Sequence, residues 1–171
     1  MVTTFRSFRL AAMGFVAILM SAPLIAFAGA LPDCLSQGQV LPINNAQVLQ
    51  WKTTTQNQFQ ARGHIKGVLS HMYPDHSGHT HMEVLLDSNP RHGIEVIYNQ
   101  SFGALPTLAP GMTIESCGDY ITSNAPTGKY PASPDGAILH WVHRSGGRHE
   151  SGYVSVNGAV YGTGSGQGAF Y

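Results

Sequence analysis

Nine histidines occur in this chain of 171 residues, all of them after residue 63, and most fall into two clusters. An imidazole changes charge near neutral pH, moves protons and offers a nitrogen lone pair to a metal. The first cluster is His71, His76, His79 and His81, with Asp75 among them and Glu83 following. It spans an expected strand-to-strand turn at Tyr73-Pro74-Asp75. Side chains alternate along a strand, so His79, His81 and Glu83 share one face. An H-x-H pair with a third ligand suits zinc or copper, whose sites use imidazole nitrogen and carboxylate oxygen. The structural alternative is a polar, solvated face beside a turn.

The second cluster is His140-Trp141-Val142-His143, followed by Arg144-Ser145-Gly146-Gly147-Arg148-His149-Glu150. Its H-x-x-H spacing resembles a ligand pair. On a strand, however, residues three apart face opposite ways, so His140 and His143 converge only at a bulge or strand end. The H-E-x-x-H signature of zinc proteases is absent. The Gly-Gly turn can expose backbone N–H groups, and with Arg144, Arg148 and His149 it offers a site for a phosphate or carboxylate. The competing reading is a tight turn whose arginine pairs with Glu150 or Asp119 and whose Trp141 fills the core. There is no G-x-S-x-G for a serine hydrolase, and neither a P-loop nor a dinucleotide fingerprint occurs.

These residues must be positioned by short elements. Asn44 and Asn45 can cap a helix in which Val48, Trp51, Thr55 and Phe59 recur at helical spacing before Gly63. The period then changes. Residues 63–71, 81–87, 93–98, 112–120 and 137–143 are strand-like runs separated by Pro, Gly, Asn, Asp and Ser. Alternation assigns Met82, Val84 and Leu86, and Ile94, Val96 and Tyr98, to the core. Asn157-Gly158 has the residues of a type I′ turn, which predicts a last hairpin over 153–161. Residues 123–134, with three prolines, read as an exposed loop. The pattern predicts a mainly β fold, a small antiparallel barrel or sandwich of five to seven strands with one N-terminal helix.

The amino terminus reads as a targeting segment. Arg6 and Arg9 precede an apolar run from Leu10 to Met20, then Pro23 and the small-x-small sites Ala26-Phe27-Ala28 and Ala28-Gly29-Ala30, the pattern of a cleaved secretory signal peptide. An uncleaved anchor is the alternative for this uncharged run. The expected organisation is a signal peptide over 1–30, an N-terminal segment with the helix over 31–60, a β domain over 61–162 and a flexible Gly-rich tail over 163–171. Export to the periplasm or medium follows, with membrane contact only through the segment before cleavage. The whole chain balances nine basic against nine acidic residues, and loss of Arg6 and Arg9 leaves the mature part slightly acidic. That balance, with no basic aromatic stripe, argues against a nucleic-acid partner. In an oxidising compartment Cys34 and Cys117 are expected to pair.

Ile138 to His143, Gly147-Arg148-His149, Gly152-Tyr153, Asn157-Gly158 and Tyr161-Gly162 resemble the carboxy-terminal signature of domain-of-unknown-function family 3465, small exported bacterial proteins. Gly67-Val68-Leu69, Gly78 to Leu86, Val96 to Asn99 and Pro110 to Tyr120 are similar in order and spacing. The resemblance spans about residues 60–162. It implies an OB-like β domain and brings no activity, cofactor or catalytic residue. The proline-rich loop departs from the pattern, as do His71, His76 and His79, whereas His81, His140, His143 and His149 match it.

Two functional classes follow. One is a binding module for a small anionic or oligomeric ligand, with His81, His140, Trp141, His143, Gly147, Arg148 and His149 as candidate contacts. The other is a metal-dependent phosphoester hydrolase, with zinc or copper held among His79, His81, His140 and His149. A structural envelope protein, with histidines only in turns and core, is the third possibility.

Overall fold

The computed structural model describes Met1 and residues 30–164, so the targeting segment up to residue 29 and the tail from residue 165 lie outside the described residues. Five strands form a closed ring: β3 (Gln60–His76), β4 (His79–Leu85), β5 (Gly93–Asn99), β6 (Thr113–Thr122) and β7 (Ala137–His140). They are ordered β3-β4-β5-β7-β6, and β6 returns to pair with β3. This is an OB-like barrel. One amendment to the antiparallel expectation is a matter of parity: neighbours in a ring of five cannot all alternate in direction. The parallel pair is β5 with β7, Glu95 opposite Ile138 and Val96 opposite Leu139. A hairpin of β8 (Tyr153–Val156) and β9 (Ala159–Tyr161) extends the sheet from β6. Its turn carries the expected residues, with φ of 50° at Asn157 and 87° at Gly158.

Alternation along the strands sends one set of side chains into the barrel. Met82, Val84, Leu86, Ile94, Val96 and Tyr98 are buried there as the pattern predicts, joined by Ile65, Leu69, Ile114, Tyr120, Leu139 and Val142. The helix α1 (Asn45–Thr54) packs on this core through Val48, and Trp51 stacks against Tyr120 with ring centroids 5.4 Å apart. It ends before Phe59, sooner than the periodicity implies. Thr53, Thr54 and Thr55 form a β-branched run whose hydroxyls bond back to carbonyls of the last turns, an arrangement that disfavours extension. Asn44 does not cap with its side chain; its Oδ1 accepts from His64 N–H and ties the helix start to β3.

Two further expectations are corrected. The turn is not at Tyr73-Pro74-Asp75: β3 runs on to His76 and reverses at Ser77-Gly78, both with positive φ. Pro74 is tolerated because it sits in a break of register between Tyr73 and His76, where no ladder donor is needed. The strand expected over 137–143 stops at His140, because Trp141 adopts a left-handed φ of 50°.

The N-terminal segment adds a hairpin, β1 (Leu35–Ser36) with β2 (Gln39–Val40), that the sequence did not signal. Cys34 forms a disulfide with Cys117 of β6, Cα atoms 5.5 Å apart, closing a separation of 83 residues. Beside it the buried Arg62 side chain bonds Asp119 at 2.6 Å, the Leu35 carbonyl at 2.9 Å, and the Ser151 carbonyl. Among the described residues, no helix is long and apolar enough to cross a membrane.

Candidate functional site

A cleft of about 570 Å³ opens on the outer surface at the His140 end of β7, lined by Gln60, His79, Asn99, Phe102, Asp119, His140, Trp141, His143, Gly146, Arg148 and His149. Four imidazoles thus come from two distant stretches of sequence. β4 contributes His79, because alternation turns Thr80 and Met82 inward and leaves His79, His81 and Glu83 outward, as expected from the spacing. β7 contributes His140. The left-handed Trp141 then breaks the alternation, so that His140 and Trp141 both line the cleft with ring centroids 4.7 Å apart. Because the strand ends there, His143 also reaches the cleft, which is the strand-end condition that its spacing from His140 requires.

Trp141 is held in a conformation that a bulky residue rarely adopts. Glycines on both flanking segments allow the close packing that holds it. A Cβ on Gly152 would come within 2.6 Å of the Trp141 carbonyl oxygen, and one on Gly118 within 2.5 Å of the His140 carbonyl oxygen. The loop over 141–152 is further anchored by Arg144 N–H to the Gly162 carbonyl and Gly152 N–H to the His143 carbonyl, each 2.7 Å. Gly38 of the β1–β2 turn donates to Glu150 Oε1 at 3.0 Å. These contacts pack the loop that carries the aromatic surface against β6 and the β1–β2 turn.

The imidazoles share a pattern. His79 Nδ1 lies 2.9 Å from the Ser77 carbonyl, and His143 and His149 Nδ1 lie 2.8 Å from the carbonyls of Arg144 and Glu150. A carbonyl only accepts, so Nδ1 carries the hydrogen in all three, and in the neutral form of each ring the lone pair falls to Nε2. Phe102 stacks on His143 at 3.8 Å, and His143 meets His149 edge-on at 5.0 Å. His79 and His140 lie 5.8 Å apart by ring centroids. Burial, then the neighbouring His79, His143, His81 and His149, push His140 down to about 4. His143 is lowered as well, chiefly by burial. Both rings are neutral at physiological pH.

The remaining expectations divide. His81 stays outside the cleft, its Nδ1 2.6 Å from Glu95 Oε1. His71 and His76 are exposed, His76 edge-on to His81 with ring centroids 6.5 Å apart, and of the first cluster only His79 lines the cleft. Among the described residues, no three His, Cys, Asp or Glu side chains stand as a donor set for a metal. His79, His140 and His149 do share the cleft, but without His81, whose ring is committed to Glu95. Gly147 is displaced from its expected part: its N–H is taken by Ser145 Oγ at 2.9 Å, and Gly146 lines the cleft instead. Neither proposed arginine pairing occurs. Asp119 belongs to Arg62 and Glu150 receives Gly38, so among the described residues Arg148, exposed at the cleft edge, has no ion pair.

Phe102, Gln60 and Asn99 were not singled out by their sequence context. Phe102 is the last residue of a short 3-10 turn over Gln100–Phe102, capped by Gly103 with φ 113°. Only that Asn-to-Gly stretch after a strand could have drawn attention to it.

A second polar group lies lower on the same outer face. Tyr73 donates to both oxygens of Asp135 at 3.2 Å, and Ser70 donates to Glu83. Burial, then the Glu83 charge, raise Asp135 to about 6. This bond ties the end of the proline-rich loop to the barrel. No family model, curated protein or solved structure matches the chain, so the geometry itself carries the reading of the site.

Proposed function

We propose that this is an exported binding module of OB-like fold, kin to domain-of-unknown-function family 3465, that holds a small ligand in the cleft between β4, β7 and the loop over 141–152. The observation that carries the reading is Trp141. Backbone strain at a bulky residue costs on the order of 1–3 kcal/mol and clusters at sites that need a fixed side chain. Here it places an indole, beside Phe102 and four imidazoles, in a cleft with Gln60, Asn99 and Arg148 as polar contacts. OB-like barrels commonly bind on the outward face of their second and third strands, to which β4 and β5 correspond. A flat ring stacking on Trp141, with its polar groups toward the amides and Arg148, matches this lining.

The test is a fluorescence titration with nucleoside monophosphates, sugar phosphates and acidic oligosaccharides. Trp51 is the other tryptophan and packs beside α1, so a Trp51→Phe background isolates Trp141. Saturable quenching by one class is expected, and calorimetry with that ligand should show affinity falling at least tenfold in Trp141→Ala with the circular dichroism unchanged. Binding that ignores Trp141→Ala, or no saturation by any class, overturns the reading.

A further inference from the structure

We propose that the cleft recognises an oxyanion of the phosphate and sulfate class and takes up a proton in binding it. This rests on the binding-module reading and adds the chemistry of the recognised group. The lining is rich in nitrogen and poor in free negative charge. Asp119 is its one carboxylate, and Arg62 of β3 holds it at 2.6 Å. From β5, Glu95 is occupied by His81 of β4 at 2.6 Å. On the loop, Glu150 accepts from Gly38, while Arg144 and Arg148 are exposed and carry permanent charge.

The imidazoles supply the coupling. With Nδ1–H committed to backbone carbonyls in His79, His143 and His149, each neutral ring has only the Nε2 lone pair left to meet a ligand. A lone pair facing an oxyanion oxygen is repulsive. Protonation converts the same atom into a charged N–H donor, the stronger class of hydrogen bond. An oxyanion therefore binds well only to a cleft that has gained a proton, and by reciprocity it raises the proton affinity of the rings it touches. The depressed proton affinity of His140 and His143 keeps these two rings neutral in the empty cleft at neutral pH, so a proton they gain is taken up with the ligand and not beforehand.

Sulfate is the probe for counting protons, because it does not titrate between pH 5 and 8. Calorimetry in two buffers of different ionisation heat is expected to show about one proton taken up per sulfate. Affinity should rise by up to roughly tenfold per pH unit as the pH falls from 7.5 to 5.5, the slope of a one-proton linkage. His140→Gln should flatten that slope. Arg148→Met, a change on the exposed loop, should weaken binding at both pH values with the proton count unchanged, and it keeps the test available if His140→Gln fails to fold. Sulfate binding without proton uptake overturns the proposal and leaves the binding module standing. No sulfate binding at pH 5.5 also overturns it, and titration of Trp141 fluorescence with a neutral oligosaccharide then decides the module reading separately.

Discussion

Two histidine neighbourhoods lie on the outer surface of one barrel and are built to opposite ends. His64, on β3, is buried under the N-terminal segment, and both its nitrogens have partners: Nδ1 the Leu41 carbonyl at 2.8 Å, Nε2 the Glu115 carboxylate at 3.2 Å and Tyr153 Oη at 3.0 Å. Glu115 is completed by Lys66 at 3.0 Å. Burial alone would raise that carboxyl, but the bonds from Lys66 and His64 outweigh it and its pKa is lowered. In the cleft, His79, His143 and His149 satisfy one nitrogen each on the backbone, and among the described residues the other nitrogen has no protein partner. The difference lies in the cover. A lid of residues 34–41, pinned by Cys34–Cys117 and Arg62, closes the first neighbourhood, and polar groups shut in by a lid must be paired. Among the described residues no such lid covers the cleft, which keeps hydrogen-bonding capacity open to solvent.

The largest way to break this contrast is to remove the pin. Cys34→Ser with Cys117→Ser should lower stability by about 4–5 kcal/mol on the loop-entropy argument, measured by urea unfolding against the oxidised parent. The lid around His64 should loosen first, seen as faster amide exchange over residues 34–41 than at the cleft. A smaller loss, or exchange that rises at the cleft instead, would show that the lid is not what separates the two regions.

Arg62 tests the border between them, since it serves the lid and also neutralises a cleft carboxylate. Arg62→Ala should cost about 2–3 kcal/mol, less than a fully buried pair because Asp119 keeps 25% of its side-chain surface exposed. Freed Asp119 should also weaken sulfate binding at pH 5.5. Adding Asp119→Asn should restore the binding but not the whole of the stability, and failure of that rescue would separate Asp119 from the cleft's electrostatics.

The smallest effect sharpens the comparison, because Asp135 is a third case, bonded yet burdened by a like charge. Its folded pKa of about 6 lies above the ordinary 3.8 of the side chain, so the folded chain holds the proton more tightly. The stabilisation is full below 3.8 and is lost as pH rises through about 6. Asp135→Asn keeps an acceptor for Tyr73 and removes the repulsion with Glu83. It should stabilise by about 1–2 kcal/mol at pH 7, allowing for partial exposure, and by close to nothing at pH 4. Equal effects at the two pH values would refute the assignment.

Much of the barrel was legible because its signals are local. The alternation of Met82, Val84 and Leu86, the Asn157-Gly158 turn and the punctuated runs that became β3 to β7 each need only a few neighbouring residues. The parallel β5–β7 pair follows from ring closure, a global property absent from any window of sequence. At the site, residue types were readable and convergence was not. His140, Trp141, His143, Arg148 and His149 were named as candidates from residue type and the family resemblance, but their meeting in one cleft depends on one left-handed residue, and nothing local marks a tryptophan as left-handed. His81 and His79 exchanged importance for a similar reason: on one strand face, a diagonal neighbour on the next strand decides which ring is engaged, and Glu95, opposite Glu83, captured His81. Gly147 failed because Ser145, two residues earlier, reaches its amide first.

The most direct test of proton-coupled oxyanion binding is the long-range proton–nitrogen NMR spectrum of the imidazoles, recorded at pH 6 with and without sulfate. His140, His143 and His149 should move toward the protonated pattern as sulfate is added, with His79 following, while His64 stays unchanged. Sulfate-induced shifts shared equally by His64, or absent from the cleft rings, would contradict it.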